Sequence, residues 1–214
     1  GFLNILEGCR NHKVRHLVYA SSSSVYGENK KVPFETSDNV DYPISLYAAT
    51  KKSNELMAHT YGHLYGFKCT GLRFFTVYGP WGRPDMAYYL FTDAITNDLP
   101  IKVFNNGQMK RDFTYIDDIV NVVTKIIEKN IDSREHYKIY NIGNNKTESL
   151  EDFISTIEQA IGKTAIKEMF PMQQGDVPKT FADISEIVKD FGYRPNTSIN
   201  KGLKEFIKWY KNYI

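Results

Sequence analysis

Residues 14–20 (VRHLVYA) have the apolar, β-branched character of a buried strand, and they run directly into four consecutive serines, Ser21 to Ser24. A strand that ends in a cluster of hydroxyls restricts the fold sharply. Open α/β sheets place their ligands beyond the carboxyl ends of the strands, so hydroxyls there line a crevice rather than a core. The next ordered stretch is Tyr47-Ala48-Ala49-Thr50-Lys51 with a helical run to about Tyr65, stopped by Gly66. Residues four apart share a helix face, so Lys51 lies one turn behind Tyr47 and points the same way. A second buried strand follows at residues 68–74 (KCTGLRF).

A phenol is a poor base at neutral pH, with an unperturbed pKa of about 10. A cation about 4 Å away at an effective dielectric of about 20 favours the phenolate by up to about 4 kcal/mol, enough to make it a usable base. The serines offer a second hydroxyl for the same substrate oxygen. Other chemistries find less support. With 27 Lys and Arg against 25 Asp and Glu, the net charge of +2 supplies no electrostatic reason to expect nucleic acid or a membrane surface. No apolar run approaches the roughly 18 residues that a spanning helix needs. Cys9 and Cys69 lack metal spacing and read as reduced core thiols of a cytosolic protein. His59 and His63 are four apart, but the glutamate of the zincin pattern is absent and no third ligand is apparent, so no metal site is expected.

The remaining elements follow from periodicity and punctuation. Ser45 is placed to cap the tyrosine-lysine helix, whose inward face is expected to hold Leu46, Ala49, Leu56, Met57 and Leu64. After the second strand comes a rigid loop with two prolines and two glycines, then a helix over about 86–97 and a strand at 101–104. Asn105-Asn106-Gly107 signals a hairpin. Residues 109–118 lead into a helix through about Lys129, for which Asp117 could be the cap, and a strand at 137–143 returns to the main sheet. Ser149 with Asp152 resembles a capping box at the head of a helix closed by Gly162. A short strand at 165–170, a helix capped by Asp183, and a last helix with Leu203, Phe206, Ile207 and Tyr210 on one face complete the chain.

Residues 20–27 (ASSSSVYG), followed by the tyrosine-lysine helix, resemble the extended short-chain dehydrogenase/reductase superfamily, the nicotinamide-dependent sugar-nucleotide epimerases and dehydratases. The resemblance runs over essentially the whole chain. Residues 74–86 (FFTVYGPWGRPDM) are similar to the corresponding loop of UDP-glucuronate 4-epimerases. The resemblance implies an α/β fold, the C-terminal part of a doubly wound, Rossmann-like parallel sheet interleaved with a smaller α/β substrate domain. The nucleotide-binding portion would comprise residues 1–78 and 110–143, and the UDP-sugar portion 79–109 and 144–214. It further implies NAD as cofactor, a UDP-sugar as substrate, a homodimer and a cytoplasmic location.

By the same resemblance Ser22, four before Tyr26, is the catalytic hydroxyl, with Ser23 the next candidate and a substrate contact. Tyr47 takes the proton of the sugar 4-hydroxyl while a hydride passes to NAD, and Lys51 keeps the phenol acidic. Tyr47, Lys51, Phe74 and Val77 would adjoin the cofactor. Thr76 and Arg83 would meet a sugar carboxylate, Val103 and Phe104 the uracil, Arg111 the diphosphate and Asp176 the ribose. From the residues alone, Val103 and Phe104 read equally as core and Arg111 as a surface charge. Dehydratases of this superfamily place an Asp-Glu pair after the catalytic hydroxyl, where this chain has Ser23 and Ser24. Epimerisation therefore ranks above dehydration, and above UDP-glucuronate decarboxylation. UDP-glucose or UDP-galactose fit if Arg83 does not face the pocket. The chain opens inside an amphipathic helix without a Gly-x-x-Gly-x-x-Gly turn. The expectation is that the first strands and the dinucleotide fingerprint lie outside it, which keeps open a nucleotide-sugar-binding fragment without redox activity.

Overall fold

In the computed structural model, which describes residues 1–129, 135–173 and 175–213, the serine strand and its successor lie side by side. Helix α1 (Phe2–Asn11) leads to β1 (His16–Ser22), α2 (Leu46–Tyr65) and β2 (Lys68–Phe74). A helix between two strands brings the second strand back parallel to the first. The register runs from His16 opposite Lys68 to Ser22 opposite Phe74. After β3 (Thr76–Tyr78), α3 (Ala87–Thr96), β4 (Pro100–Val103), β5 (Lys110–Arg111), β6 (Phe113–Tyr115) and α4 (Ile116–Glu128), strand β7 (Tyr137–Ile142) joins the free side of β2, also parallel. The order is β1-β2-β7, with Ser22, Phe74 and Ile142 level at one edge.

Two apolar layers cover this sheet. Leu6 and Cys9 of α1 and Ala58 of α2 pack with Tyr19, Phe67 and Cys69. In the other layer Ile119, Val122 and Ile126 of α4 meet Leu72, Tyr140 and Ile142, together with Ile187 of α6 (Ser185–Phe191) and its neighbours Ala182, Ile184 and Tyr193. A third core gathers α3, α5 (Leu150–Ile161) and α7 (Ile199–Tyr213) around Phe113, which stacks on Phe153 at 4.3 Å. Phe206, wholly buried there, contributes about 1.5–3 kcal/mol by leaving water. Small ladders tie this third core to the sheet. Strand β3 runs parallel to β6, β4 parallel to β9 (Ile166–Met169), and β5 antiparallel to β8 (Glu148–Ser149).

Two of the expected caps form. The Ser45 hydroxyl accepts from Ala48 N at 3.2 Å, and Gly66 ends α2 with φ +73°. Ser149 accepts from Asp152 N, and Gly162 closes α5. At α6 (Ser185–Phe191) the expected Asp183 cap is not formed: the N-cap is Ile184, and Asp183, one residue earlier, accepts from Ser185 N in the turn before the helix.

Three further expectations need correction. Helix α2 does not bury its leucines: Leu46, Leu56 and Leu64 are exposed, Ala49 and Met57 half-buried. Its buried face is Ala48, Glu55, Ala58 and Gly62: small residues where the backbone comes close, and one long carboxylate that reaches Ser21 and Arg73. A Cβ on Gly62 would lie 2.8 Å from His136 O. Second, Asn105 and Asn106 do turn the chain with positive φ, but no hairpin results. The strand before the turn is claimed by β9 and the strand after it by β8. Third, Asp117 does not cap α4. The buried aspartate of that turn is Asp118, which accepts from Thr197 N at 3.1 Å and holds the approach to α7.

Candidate active site

Ser22 is the last residue of β1. Its hydroxyl accepts from Ser24 N at 3.1 Å, capping a 3-10 turn over Ser23–Tyr26, and donates to the Ser24 hydroxyl at 3.0 Å. The serine cluster thus folds back on itself and holds its hydroxyls at the strand end. Lys51 Nζ donates to Ala20 O at 3.1 Å and lies 5.8 Å from the Tyr47 ring centroid. The Tyr47 phenol makes no hydrogen bond among the described residues, and the residue is 52% exposed. A fixed cation, a fixed hydroxyl and an unengaged phenol at the carboxyl ends of parallel strands can together accept and return a proton.

Behind Ser22 lies a buried polar layer. Ser21, Arg73 and Asn141 occupy one register level across β1, β2 and β7. Glu55 of α2 accepts from the Ser21 hydroxyl at 2.6 Å and takes both forks of Arg73 at 2.9 Å. The guanidinium lies over the Tyr26 ring, and the Tyr26 phenol donates to Asn141 Oδ1 at 2.6 Å. Burial alone would lower the Arg73 pKa, but the bidentate carboxylate outweighs it and raises it. Sequence reasoning passes over Glu55 and Arg73. Arg73 does carry a signal, as a charged residue inside an otherwise apolar strand, whereas Glu55, which follows Lys51, Lys52, Ser53 and Asn54, carries none.

A cleft of about 170 Å³ opens beside this layer, lined by Ser23, Thr76, Arg111 and Asp176 among others. Four residues singled out from distant parts of the sequence therefore line one cleft. Arg111 donates to Asp176 Oδ1 at 2.7 Å, and that oxygen also accepts from Val177 N. Burial pushes the Arg111 guanidinium down, against the pull of Asp176. The neighbouring Asp112 is wholly buried and anchors three segments. Its carboxylate accepts from Asn144 N at 2.6 Å, Ala182 N at 3.2 Å and the Thr114 hydroxyl at 3.3 Å, and its carbonyl accepts from Thr76 N. Burial pushes its carboxyl up to about 6, despite the backbone N–H groups that stabilise the charge. Gln174, in the expected ribose segment, lies outside the described residues.

Other candidates fall elsewhere. Arg83 is exposed and forms a bidentate pair with Asp85, at 3.0 and 2.9 Å. Val103 is completely buried in the third core and offers no side-chain surface, and Phe104 packs on Phe170. Phe74 and Val77 are half-buried against the main core, at the end of β2 and within β3. His59 lies edge-on to Tyr137, and no group of three metal-ligating side chains exists among the described residues.

Residues 1–143 match the model of the NAD dependent epimerase/dehydratase family. The chain belongs to that family. It is 52% identical over its whole length to protein CapI of Staphylococcus aureus, covering 68% of that protein. To a probable UDP-glucuronate 4-epimerase of Rhizobium meliloti it is 45% identical, again over its whole length and 67% of the relative. UDP-glucuronate 4-epimerase 2 of Arabidopsis thaliana is 47% identical, and the chain spans 52% of its length. Among solved structures, the UDP-glucuronic acid 4-epimerase of Bacillus cereus, in complex with UDP-glucuronic acid and NAD, superposes with a TM-score of 0.92 at 33% identity. All of this chain and 67% of that one are covered. The Rossmann-type parallel sheet and the nicotinamide-dependent epimerase chemistry implied by the sequence are those of this family.

The residues present fit the reactive end of NAD. The Lys51 ammonium is held on Ala20 O near the end of β1, which has no strand on its outer side among the described residues, and the unengaged Tyr47 phenol lies one helical turn before it. No membrane-spanning helix exists among the described residues.

Proposed function

We propose that this chain carries the proton-transfer and diphosphate-binding half of an NAD-dependent UDP-sugar 4-epimerase, with UDP-glucuronate and UDP-galacturonate as its sugar nucleotides. The observation that carries the reading is the anchoring of Ser22 and Lys51 at the end of β1, with Tyr47 free on the same helix face as Lys51. Tyr47 removes the proton from the sugar 4-hydroxyl, Ser22 holds that oxygen, and Lys51 favours the phenolate. NAD, when bound, supplies the hydride acceptor and donor. The 4-keto sugar turns over in the site, presenting the other face of carbon 4 to the hydride that bound NAD would return, and Tyr47 gives its proton back to the 4-oxygen. Arg111 takes the diphosphate, for which a guanidinium fork is suited, and Asp176 and Ser23 line the same cleft. Residues 1–78 with 110–143 serve the nucleotide cofactor, and 79–109 with 144–214 the UDP-sugar. The active form is a cytoplasmic homodimer.

A neutral UDP-hexose is the second reading, favoured by the engagement of Arg83 with Asp85 outside the cleft-lining residues. Turnover assays with UDP-glucuronate and UDP-glucose on the NAD-loaded protein, wild type and Tyr47→Phe, separate these possibilities. Epimerisation of UDP-glucuronate that disappears in Tyr47→Phe is expected. Turnover of UDP-glucose alone would move the assignment to the neutral sugar, and undiminished activity in Tyr47→Phe would remove the proposed base.

A further inference from the structure

We propose that Glu55 is a positioning residue for the proton-transfer pair, a buried carboxylate that fixes where the Tyr47 phenol stands relative to the Ser22 hydroxyl. This inference rests on the epimerase reading given above. Tyr47, Lys51 and Glu55 recur every four residues and share one face of α2. Two of them hold consecutive residues of β1: Lys51 donates to Ala20 O, and Glu55 accepts from the Ser21 hydroxyl. Ser22 is the next residue along. The same carboxylate grips Arg73, which is opposite Ser21 on β2, so helix and both strands converge on one group.

The pair is almost fully buried, with side-chain exposures of 4% for Arg73 and 3% for Glu55. A buried ion pair is a poor device for stability, since apolar residues of similar volume commonly do as well or better. What it provides is direction. Two parallel N–H···O bonds and one O–H···O bond permit a single placement of the helix, whereas an apolar face tolerates sliding and rotation. The other fully buried residues of α2 are small, Ala48, Ala58 and Gly62, which permit close approach but interlock weakly, with Met57 and Tyr61 packed partly buried beside them. Site geometry must be held within about 0.5 Å for effective chemistry, and Glu55 is the group that supplies this here.

The test uses Glu55→Asp, which keeps the charge balance but draws the carboxylate back by one methylene, and the double variant Glu55→Gln/Arg73→Gln, which removes both charges together. Turnover, KM for the UDP-sugar, thermal unfolding and amide hydrogen exchange at residues 20–26 are measured for each in the NAD-loaded enzyme. The expectation is a kcat at least tenfold lower in both variants, with KM within twofold of wild type and faster exchange at residues 20–26. A double variant that folds and recovers wild-type kcat would overturn the proposal, because a structural role alone would then suffice. Glu55→Asp with unaltered kcat and unaltered exchange would overturn it equally. Exchange needs no turnover, so a wild-type enzyme inactive on every UDP-sugar would refute the epimerase reading while the exchange data still judge the clamp.

Discussion

Replacing Asp112 by asparagine tests whether a buried carboxyl beside the cleft binds its proton more tightly in the folded protein. The side chain is wholly buried, and its pKa is pushed up to about 6 from an ordinary 3.8. A group that holds its proton more tightly when folded stabilises the fold least when it is ionised. Its cost is absent below the unfolded value, accrues as pH rises between 3.8 and about 6, and is constant above that. At about 1.36 kcal/mol per unit, the full effect is about 3 kcal/mol, of which about 2 kcal/mol develops between pH 4 and 7. An asparagine at this position carries no such charge. It does lose an acceptor opposite Ala182 N, a pH-independent penalty of about 1–3 kcal/mol. Urea unfolding of both proteins in steps from pH 4 to 7 isolates the titration, because the other groups cancel in the difference. The advantage of wild type over Asp112→Asn should shrink by about 2 kcal/mol across that range. A difference that stays level, or grows with pH, would refute the reasoning and mean that the backbone N–H groups outweigh burial.

Three further outcomes follow from the structure. Arg111→Ala should weaken UDP binding at least tenfold by calorimetry while Asp176→Asn has a smaller effect, since only the arginine is expected to meet the diphosphate. Gly143→Ala should destabilise by about 1–3 kcal/mol in thermal unfolding, because the new Cβ would lie 2.5 Å from Ala182 Cβ and 2.9 Å from Asp112 Oδ2. The Cys69 thiol, pushed up to about 12 by burial, should resist a thiol reagent at pH 8 in the native protein and react once urea unfolds it.

The parts of the fold visible in the sequence are those set by local chemistry. The strand before Ser21, the Ser45 cap and the Gly66 and Gly162 stops depend on neighbours a few residues away. The hairpin expected at Asn105 fails because the turn is local but strand pairing is not. Ile101 finds its partner in Lys167, far along the chain. The inward face of α2 eludes the sequence for a related reason: leucine suggests core, but the buried face is set by close approach at Ala48, Ala58 and Gly62 and by the ion pair of Glu55. In the site, Ser22, Tyr47 and Lys51 draw attention by their own chemistry, whereas Thr76, Arg111 and Asp176 are singled out by the family resemblance and are found lining one cleft. Glu55 is not legible, because its role consists of holding two other groups, and that emerges only when β1 and β2 lie side by side.

The return of residues 182–193 to the sheet layer also limits how such proteins can be recombined. Ala182, Ile184, Ile187 and Tyr193 complete a core begun by Val25 and Leu72, with α3 and α5 of the third core intervening in the chain. A chimaera joined at residue 143, where the family match ends, would inherit a sheet whose far layer keeps α4 but not residues 182–193. Exchange of sugar specificity between relatives would have to proceed by replacing loops within the interleaved frame, so new substrates in this lineage would arise through local variation more readily than by shuffling of modules.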